Sequence, residues 1–213
     1  MSTLAEPLAE VYSAALRGER CQVVGRAGAE PLPVATWARP ADRADRAVLA
    51  QCAGPTLDVG CGPGRMTEHL TRSGSAALGI DVVTEAVRQA RTRGVAALLR
   101  DVFDHVPGEG RWASVLLADG NVGIGGDPRR LLARCAALLE PGGRVVVDLA
   151  APGSGIETRR LHLRIASAES EPFAWSTVAA DRIGVVCAGL GLAVERVGHH
   201  EGRWFATLVK DAR

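Results

Sequence analysis

The sequence predicts an α/β fold in which helices cover both faces of a mostly parallel sheet, and three observations carry that prediction. Short apolar runs alternate along the chain with stretches of helical periodicity, the pattern of βαβ units. The runs are near-continuously apolar rather than alternating, which suits strands buried on both faces. A glycine-rich turn joins one of these runs to a helix, at the place where open α/β sheets meet their ligands.

Taken in order, Leu4, Leu8, Val11, Tyr12, Ala15 and Leu16 recur at helical spacing, so residues 2–17 are expected to form an amphipathic helix. Residues 17–40 read as a polar connector punctuated by glycine and proline and holding Trp37. A helix over 41–53 leads into the first strand, Thr56-Leu57-Asp58-Val59. Gly60, Gly62 and Gly64 follow as G-x-G-x-G, with Pro63 suited to a first helical turn. A helix holding Met66 and Leu70 comes next, then a second strand over 76–81 that ends in Asp81. A helix over 84–93 precedes a third strand near 95–102. The fourth strand, 112–119, runs into a loop rich in glycine, and residues 128–140 form a helix that Pro141-Gly142-Gly143 ends. The fifth strand covers 144–150.

Beyond it the βα alternation lapses. Residues 151–176 give no simple crossover, and Arg160 to Ile165 alternates like an exposed strand. A helix over 181–189 and strands over 192–197 and 203–210 close the chain, the last two near enough to form a hairpin.

The glycine turn carries most of the functional information. Gly60 and Gly62 allow positive φ and remove the Cβ that would hold a ligand away from backbone amides. Those amides and the positive end of the following helix suit a carboxylate. A dinucleotide fingerprint would need a third glycine at position 65, where Arg65 stands, so an NAD-type oxidoreductase is disfavoured. Asp81 lies about twenty residues beyond the turn, where a carboxylate can accept hydrogen bonds from both hydroxyls of a ribose.

Asp58-x-Gly60-x-Gly62-x-Gly64 resembles motif I of the class I S-adenosylmethionine-dependent methyltransferases, and Leu139-Glu-Pro-Gly-Gly-Arg144 is also similar to that family. The resemblance covers roughly residues 42–210, with its specific motifs between 56 and 145. It implies a Rossmann-like seven-stranded sheet whose antiparallel last strand lies beside the fifth. It also implies S-adenosyl-L-methionine as cofactor, with its adenine amine paired to Asp101. The cofactor-binding residues so expected are Asp58, Gly60, Cys61, Gly62, Arg65, Asp81, Val82, Asp101, Val102, Ala118 and Asp119. Residues 1–41, with Tyr12 and Trp37, are expected to cap the cofactor. Residues 42–213 form the methyltransferase domain, with 151–176 as a lid over the substrate.

Asn121 and the glycines after it are candidates for shaping an acceptor pocket, without the Pro-Pro of the motif found in nucleobase and glutamine nitrogen methyltransferases. No catalytic residue is assigned. His69, His105, His162, His199 and His200 read as surface, helix or hairpin residues, and the Arg129-Arg130 and Arg159-Arg160 pairs as solvated faces. The alternative from another class is a noncatalytic module that binds S-adenosylmethionine or a nucleoside.

Twenty-five Lys and Arg against 24 Asp and Glu leave no broad field for nucleic acid or an anionic membrane, so a small-molecule methyl acceptor is the expected partner. The expected assembly is a monomer or a homodimer. Five scattered cysteines without a C-x-x-C pair argue against a metal site or a disulfide framework. With no apolar span near twenty residues and no leader pattern, they point to a reducing cytoplasm. Cys61 is not read as a nucleophile, since no histidine lies near it in sequence.

Overall fold

In the computed structural model, which describes residues 5–212, a seven-stranded sheet forms the centre of the molecule. Its order is Leu192–His200, Arg203–Lys210, Leu139–Leu149, Trp112–Leu117, Thr56–Val59, Ala77–Asp81 and Ala97–Leu99. All neighbours pair in parallel except at Arg203–Lys210, which is antiparallel to both Leu139–Leu149 and Leu192–His200. This is the Rossmann-like sheet with an antiparallel last strand that the motifs imply. Strand order reverses between Thr56–Val59 and Trp112–Leu117, so a crevice opens beyond their carboxyl ends.

Both faces are covered. Leu57, Val59, Val115, Val145 and Val147 pack with Leu131, Leu132, Cys135 and Leu138 of helix Pro128–Leu138. On the opposite face, Leu116, Val146 and Phe205 meet Val48 and Leu49 of helix Arg43–Leu49 and Met66 and Leu70 of helix Arg65–Arg72. Each fully buried aliphatic side chain contributes roughly 1.5–3 kcal/mol, so these two layers fix where the strand ends stand.

Several elements differ from expectation. The first helix is Leu8–Leu16, shorter than residues 2–17; Ala5–Glu6 pairs as a strand with Glu169–Ser170, and residues 1–4 lie outside the described part. The expected connector contains a hairpin, Gln22–Gly25 with Gly28–Pro31, whose turn uses Gly28 at positive φ. Its strands are too short and too polar to announce themselves by periodicity. Residues 151–176 are largely strand: Ile156–Arg164 pairs with Gln22–Gly25 and with Phe173–Val178. Two segments far apart in sequence therefore share a second sheet. The fifth strand begins at Leu139, ahead of the expected glycines, because Leu139 pairs with Trp112 before the register shifts.

The second sheet is fastened to the turn that follows the fourth strand. Ser176 Oγ donates to the Gly126 carbonyl at 2.8 Å, and the Ala150 amide donates to the Val178 carbonyl at 2.9 Å. Gly123 has room for no side chain, since a Cβ there would lie 2.2 Å from the Ser176 carbonyl.

Candidate active site

The glycine turn divides its three glycines between packing and ligand. A Cβ on Gly60 would stand 2.7 Å from Asn121 Nδ2, and one on Gly64 would stand 2.9 Å from the Ala90 side chain. Those two glycines let neighbouring elements approach. Gly62 has φ +54°, and no atom lies within 4 Å of where its Cβ would be. Its backbone faces open space, which is the cradle a ligand would fill.

Asp81 supports that cradle. Its Oδ2 accepts from the Gly62 amide at 2.9 Å and its Oδ1 from the Val83 amide at 2.9 Å, leaving lone pairs for a further partner. Burial raises the pKa of this carboxyl, and the two amides pull the other way. Val82 beside it is 56% exposed, an apolar surface flanking the crevice. Asp101 lies exposed after the third strand, its Oδ1 accepting from the Phe103 amide at 2.9 Å, while Val102 packs into the core.

Asp58 is placed differently. It is buried on the helix side of its strand, accepts from Thr67 Oγ1 at 2.6 Å, and is pushed up to about 6 by burial. It holds the helix to the strand. Cys61 is also enclosed: its Sγ is where a Cβ on Gly79 would collide, and burial raises its thiol pKa, so it is no thiolate nucleophile.

Ala118 is buried, and Asp119 follows it at the end of the fourth strand with φ +53°, an uncommon backbone for an aspartate. Its amide donates to Asp148 Oδ2 at 2.5 Å. Asn121 Nδ2 donates to the carbonyls of Val59 and Gly60 at 2.8 and 2.9 Å, tying this turn to the glycine turn.

A network of buried charge joins these pieces. Arg65 pairs with Asp45 and Asp119, and Arg203 pairs with Asp45, Asp119 and Asp148. Arg39 reaches Asp45 at 2.7 Å and Asp42 at 2.8 Å. Asp45 also closes the capping box of helix Arg43–Leu49 with Asp42. Burial works to raise the Asp45 pKa, but hydrogen bonds from Arg65, the Asp42 amide and Arg39 hold it far below the ordinary range. Arg65 Nε remains buried with no hydrogen-bond partner among the described residues. An orphaned guanidinium nitrogen beside an unfilled glycine cradle fits a cofactor with a carboxylate at one end.

The N-terminal helix approaches the same place. The half-buried Tyr12 ring lies 6.0 Å from Trp37, and burial, followed by the charge of Asp81, raises its pKa. Gln89 Nε2 donates to the Leu16 carbonyl at 2.8 Å, holding the helix against Thr84–Thr92.

Sequence reading missed Asp45, Asp148 and Arg203. One signal was present, a single aspartate at the end of the otherwise apolar run Val145-Val146-Val147. Its partner arginine lies 55 residues away, beyond any local pattern.

Comparison with known proteins agrees with this geometry. A family model described as a methyltransferase domain matches residues 56–143, which hold the glycine turn, Asp81, Asp101 and Asp119. That stretch is similar to the catalytic domain of the class I S-adenosylmethionine-dependent methyltransferases. A crystal structure of a SAM-dependent methyltransferase from Bacteroides fragilis, in complex with S-adenosyl-L-homocysteine, superposes with a TM-score of 0.82 at 21% identity. That match covers 99% of this chain and 98% of the other. The 1,6-didemethyltoxoflavin-N1-methyltransferase of Burkholderia thailandensis gives 0.63 at 18% identity over 99% of this chain and 93% of its own.

Among curated proteins, a ubiquinone biosynthesis O-methyltransferase of Xylella fastidiosa is 32% identical over 101 residues, 43% of this chain and 40% of that one. A trans-aconitate 2-methyltransferase of Paracidovorax citrulli is 29% identical over 159 residues, 73% of this chain and 59% of that one. The chain thus spans less than two thirds of the length of either curated relative. The family's cofactor is S-adenosylmethionine, and the cradle at Gly62, the Asp81 lone pairs and the free Arg65 nitrogen suit it.

Proposed function

We propose that this chain transfers a methyl group from S-adenosylmethionine to a small-molecule acceptor, and that it does so mainly by aligning the two. The open space above Gly62, backed by the Gly62–Asp81 hydrogen bond, is the observation that carries the reading. Gly60, Cys61 and Gly62 supply the backbone under the cofactor, Asp81 takes the ribose hydroxyls, and Val82, Asp101 and Val102 border the adenine. Asp58 acts through the turn by fixing its helix. Arg65 and Asp119, already a matched pair beside Ala118, would receive the carboxylate and ammonium of the amino-acid end. Tyr12 and its helix cap the cofactor, and the strands within 151–176 wall the acceptor side.

Bound S-adenosylmethionine supplies an already activated methyl group on a sulfonium. The protein's task is then to hold the acceptor in line and keep water out, and alignment of this kind is worth about 7–11 kcal/mol. No histidine is assigned as a base: His199 stacks on Trp204 at 4.5 Å, and His162 lies in the second sheet with its Nε2 3.6 Å from Glu169. The near balance of charge favours a small acceptor over nucleic acid. Among the described residues no helix is long and apolar enough to cross a membrane, and the five cysteines are free thiols, which supports a cytoplasmic setting.

Mass spectrometry of the purified protein for retained S-adenosylmethionine or S-adenosylhomocysteine, with calorimetric titration of both and of NAD, tests this reading. Micromolar binding of the methyl donor and its product is expected. Preference for NAD would overturn the assignment, and binding without methyl transfer to any compound of a small-molecule extract would favour the noncatalytic alternative.

A further inference from the structure

Beyond the cofactor cradle, a cleft of about 540 Å³ opens at the carboxyl ends of the fourth and fifth strands and the final hairpin. Asp119, Asp148, Leu149, Glu201, Arg203 and Trp204 are among its walls. A second cavity of about 200 Å³ continues from it through Gly120, Asp148, Leu149 and Ala150, reaching Val122 and Val178. One branch is therefore charged and the other apolar. Asp119 stands between this cleft and Arg65 of the glycine turn, which places the cleft on the acceptor side of the site.

Among the described residues the cleft has one cation in its wall, Arg203, and that cation is mostly engaged by carboxylates. Arg203 Nε donates to Asp148 Oδ1 at 2.9 Å, its Nη2 donates to Asp119 Oδ1 at 2.9 Å and also to Asp148, and its Nη1 donates to Asp45. Four of its five N–H donors are thus spent on carboxylates, leaving at most one Nη1 hydrogen for an anionic ligand. Across the connected network, Asp42, Asp45, Asp119 and Asp148 meet only Arg39, Arg65 and Arg203, so carboxylates are in excess. Glu201 on the rim does not reverse that balance. Its partners are Arg43 at 3.5 Å, a side chain 74% exposed, and His200 at 3.9 Å. The half-buried Trp204 indole, with His199 against one side of it, is also part of the wall. An aromatic face together with a carboxylate rim is the chemistry that recognises an organic cation.

We infer that the acceptor of this methyltransferase is a cationic amine with an apolar body, its ammonium held between Glu201 and Trp204 and its hydrocarbon part in the branch lined by Val122, Leu149 and Val178. The inference rests on the proposed function only in taking this cleft as the acceptor side. A polyanionic acceptor would meet an excess of like charge here.

Protein saturated with S-adenosylhomocysteine, the saturation verified by calorimetry, can be offered three matched probes: 2-phenylethylammonium, 2-phenylethanol and phenylacetate. Saturation-transfer NMR is expected to rank the ammonium above the alcohol and the alcohol above the carboxylate, with about tenfold between the extremes, as a desolvated cation–aromatic contact allows. Glu201→Lys, in an exposed hairpin turn, should keep the melting temperature and the S-adenosylhomocysteine affinity while narrowing or reversing that order. Trp204→Leu should weaken the ammonium alone. Equal or stronger binding of phenylacetate to the parent protein, or binding of none of the three, overturns the inference. Failure to bind S-adenosylhomocysteine at all instead overturns the functional reading beneath it.

Discussion

The two halves of the central sheet are built by different means. The half made of Thr56–Val59, Ala77–Asp81 and Ala97–Leu99 shapes its site with backbone: glycines at positive φ, amides that donate to Asp81, and strand ends in register. The half made of Trp112–Leu117, Leu139–Leu149 and the final hairpin shapes its site with side chains, through Arg203, Asp45, Asp119 and Asp148. A backbone site is insensitive to most side-chain changes and intolerant of a Cβ in the wrong place. A charge network behaves in the opposite way, because removing one member leaves its partners buried and unpaired.

The largest expected effect is therefore in the charged half, and it is on stability. Arg203→Met keeps much of the side-chain volume but strips the cation from three carboxylates, two of them buried. Breaking a buried network this way costs about 3–5 kcal/mol. Urea unfolding should show that loss, and Asp148→Asn in the same background should recover part of it, as a double-mutant cycle would report. A loss below about 1 kcal/mol, the range of exposed pairs, would mean that the two halves do not differ as described.

In the backbone half, Gly62→Val should leave the fold and remove the cofactor. The new side chain projects into the open space of the cradle, and a β-branched residue at φ +54° adds strain of about 1–3 kcal/mol. A fall in S-adenosylmethionine affinity of about a hundredfold or more is expected by calorimetry, with the circular dichroism spectrum retained. Gly62→Ala should lose less. Full affinity in the valine variant would place the ligand elsewhere.

The same contrast explains what the sequence could disclose. Gly60, Gly62, Gly64 and Asp81 lie within about twenty residues and obey local rules of turn chemistry and strand ends, so the cofactor side is legible without coordinates. The final hairpin is legible because a short polar link separates two apolar strands. Arg203 and Asp45 are 158 residues apart and meet only after the sheet closes, and nothing local distinguishes either from a solvated surface residue. The hairpin Gln22–Gly25 with Gly28–Pro31 is hidden for a related reason: its strands are stabilised by Ile156–Arg164, far along the chain.

Asp58 sharpens the comparison from inside the backbone half, since it is the buried carboxylate there that has a hydroxyl partner in place of a guanidinium. Its folded-state pKa of about 6 lies above the ordinary aspartate value of 3.8, so between those values the native state binds more protons than the unfolded chain. Its contribution to stability is full below about pH 4 and is lost as pH rises through about 6. Asp58→Asn removes that dependence while an amide oxygen still accepts from Thr67. The difference in unfolding free energy between parent and variant should thus change by an order of 2–3 kcal/mol from pH 4 to 7, at about 1.4 kcal/mol per pKa unit. A difference that stays flat across that window would mean that the carboxyl titrates as an ordinary aspartate.

The smallest expected effect belongs to Asp81, because only part of its work concerns the ligand. Two of its lone pairs already hold the amides of Gly62 and Val83, and those bonds keep the turn in place whether or not a ribose is present. The remaining lone pairs face the crevice and add charge-assisted hydrogen bonds worth about 1.5–3 kcal/mol each. Asp81→Ala removes both sets, and water can replace the two lost at the turn, so S-adenosylmethionine affinity should fall at least tenfold while the fold is kept. Asp81→Asn is the more discriminating variant. An amide can point only one oxygen at the two backbone donors, so its nitrogen must face either the Gly62 or the Val83 amide, donor against donor. If Asp81 acts through the turn as well as on the ribose, the asparagine variant should bind no better than the alanine variant despite its closer shape. Near-parent affinity in Asp81→Asn, measured by calorimetry on folded protein, would show that shape alone suffices there and that the ribose does not depend on the carboxylate.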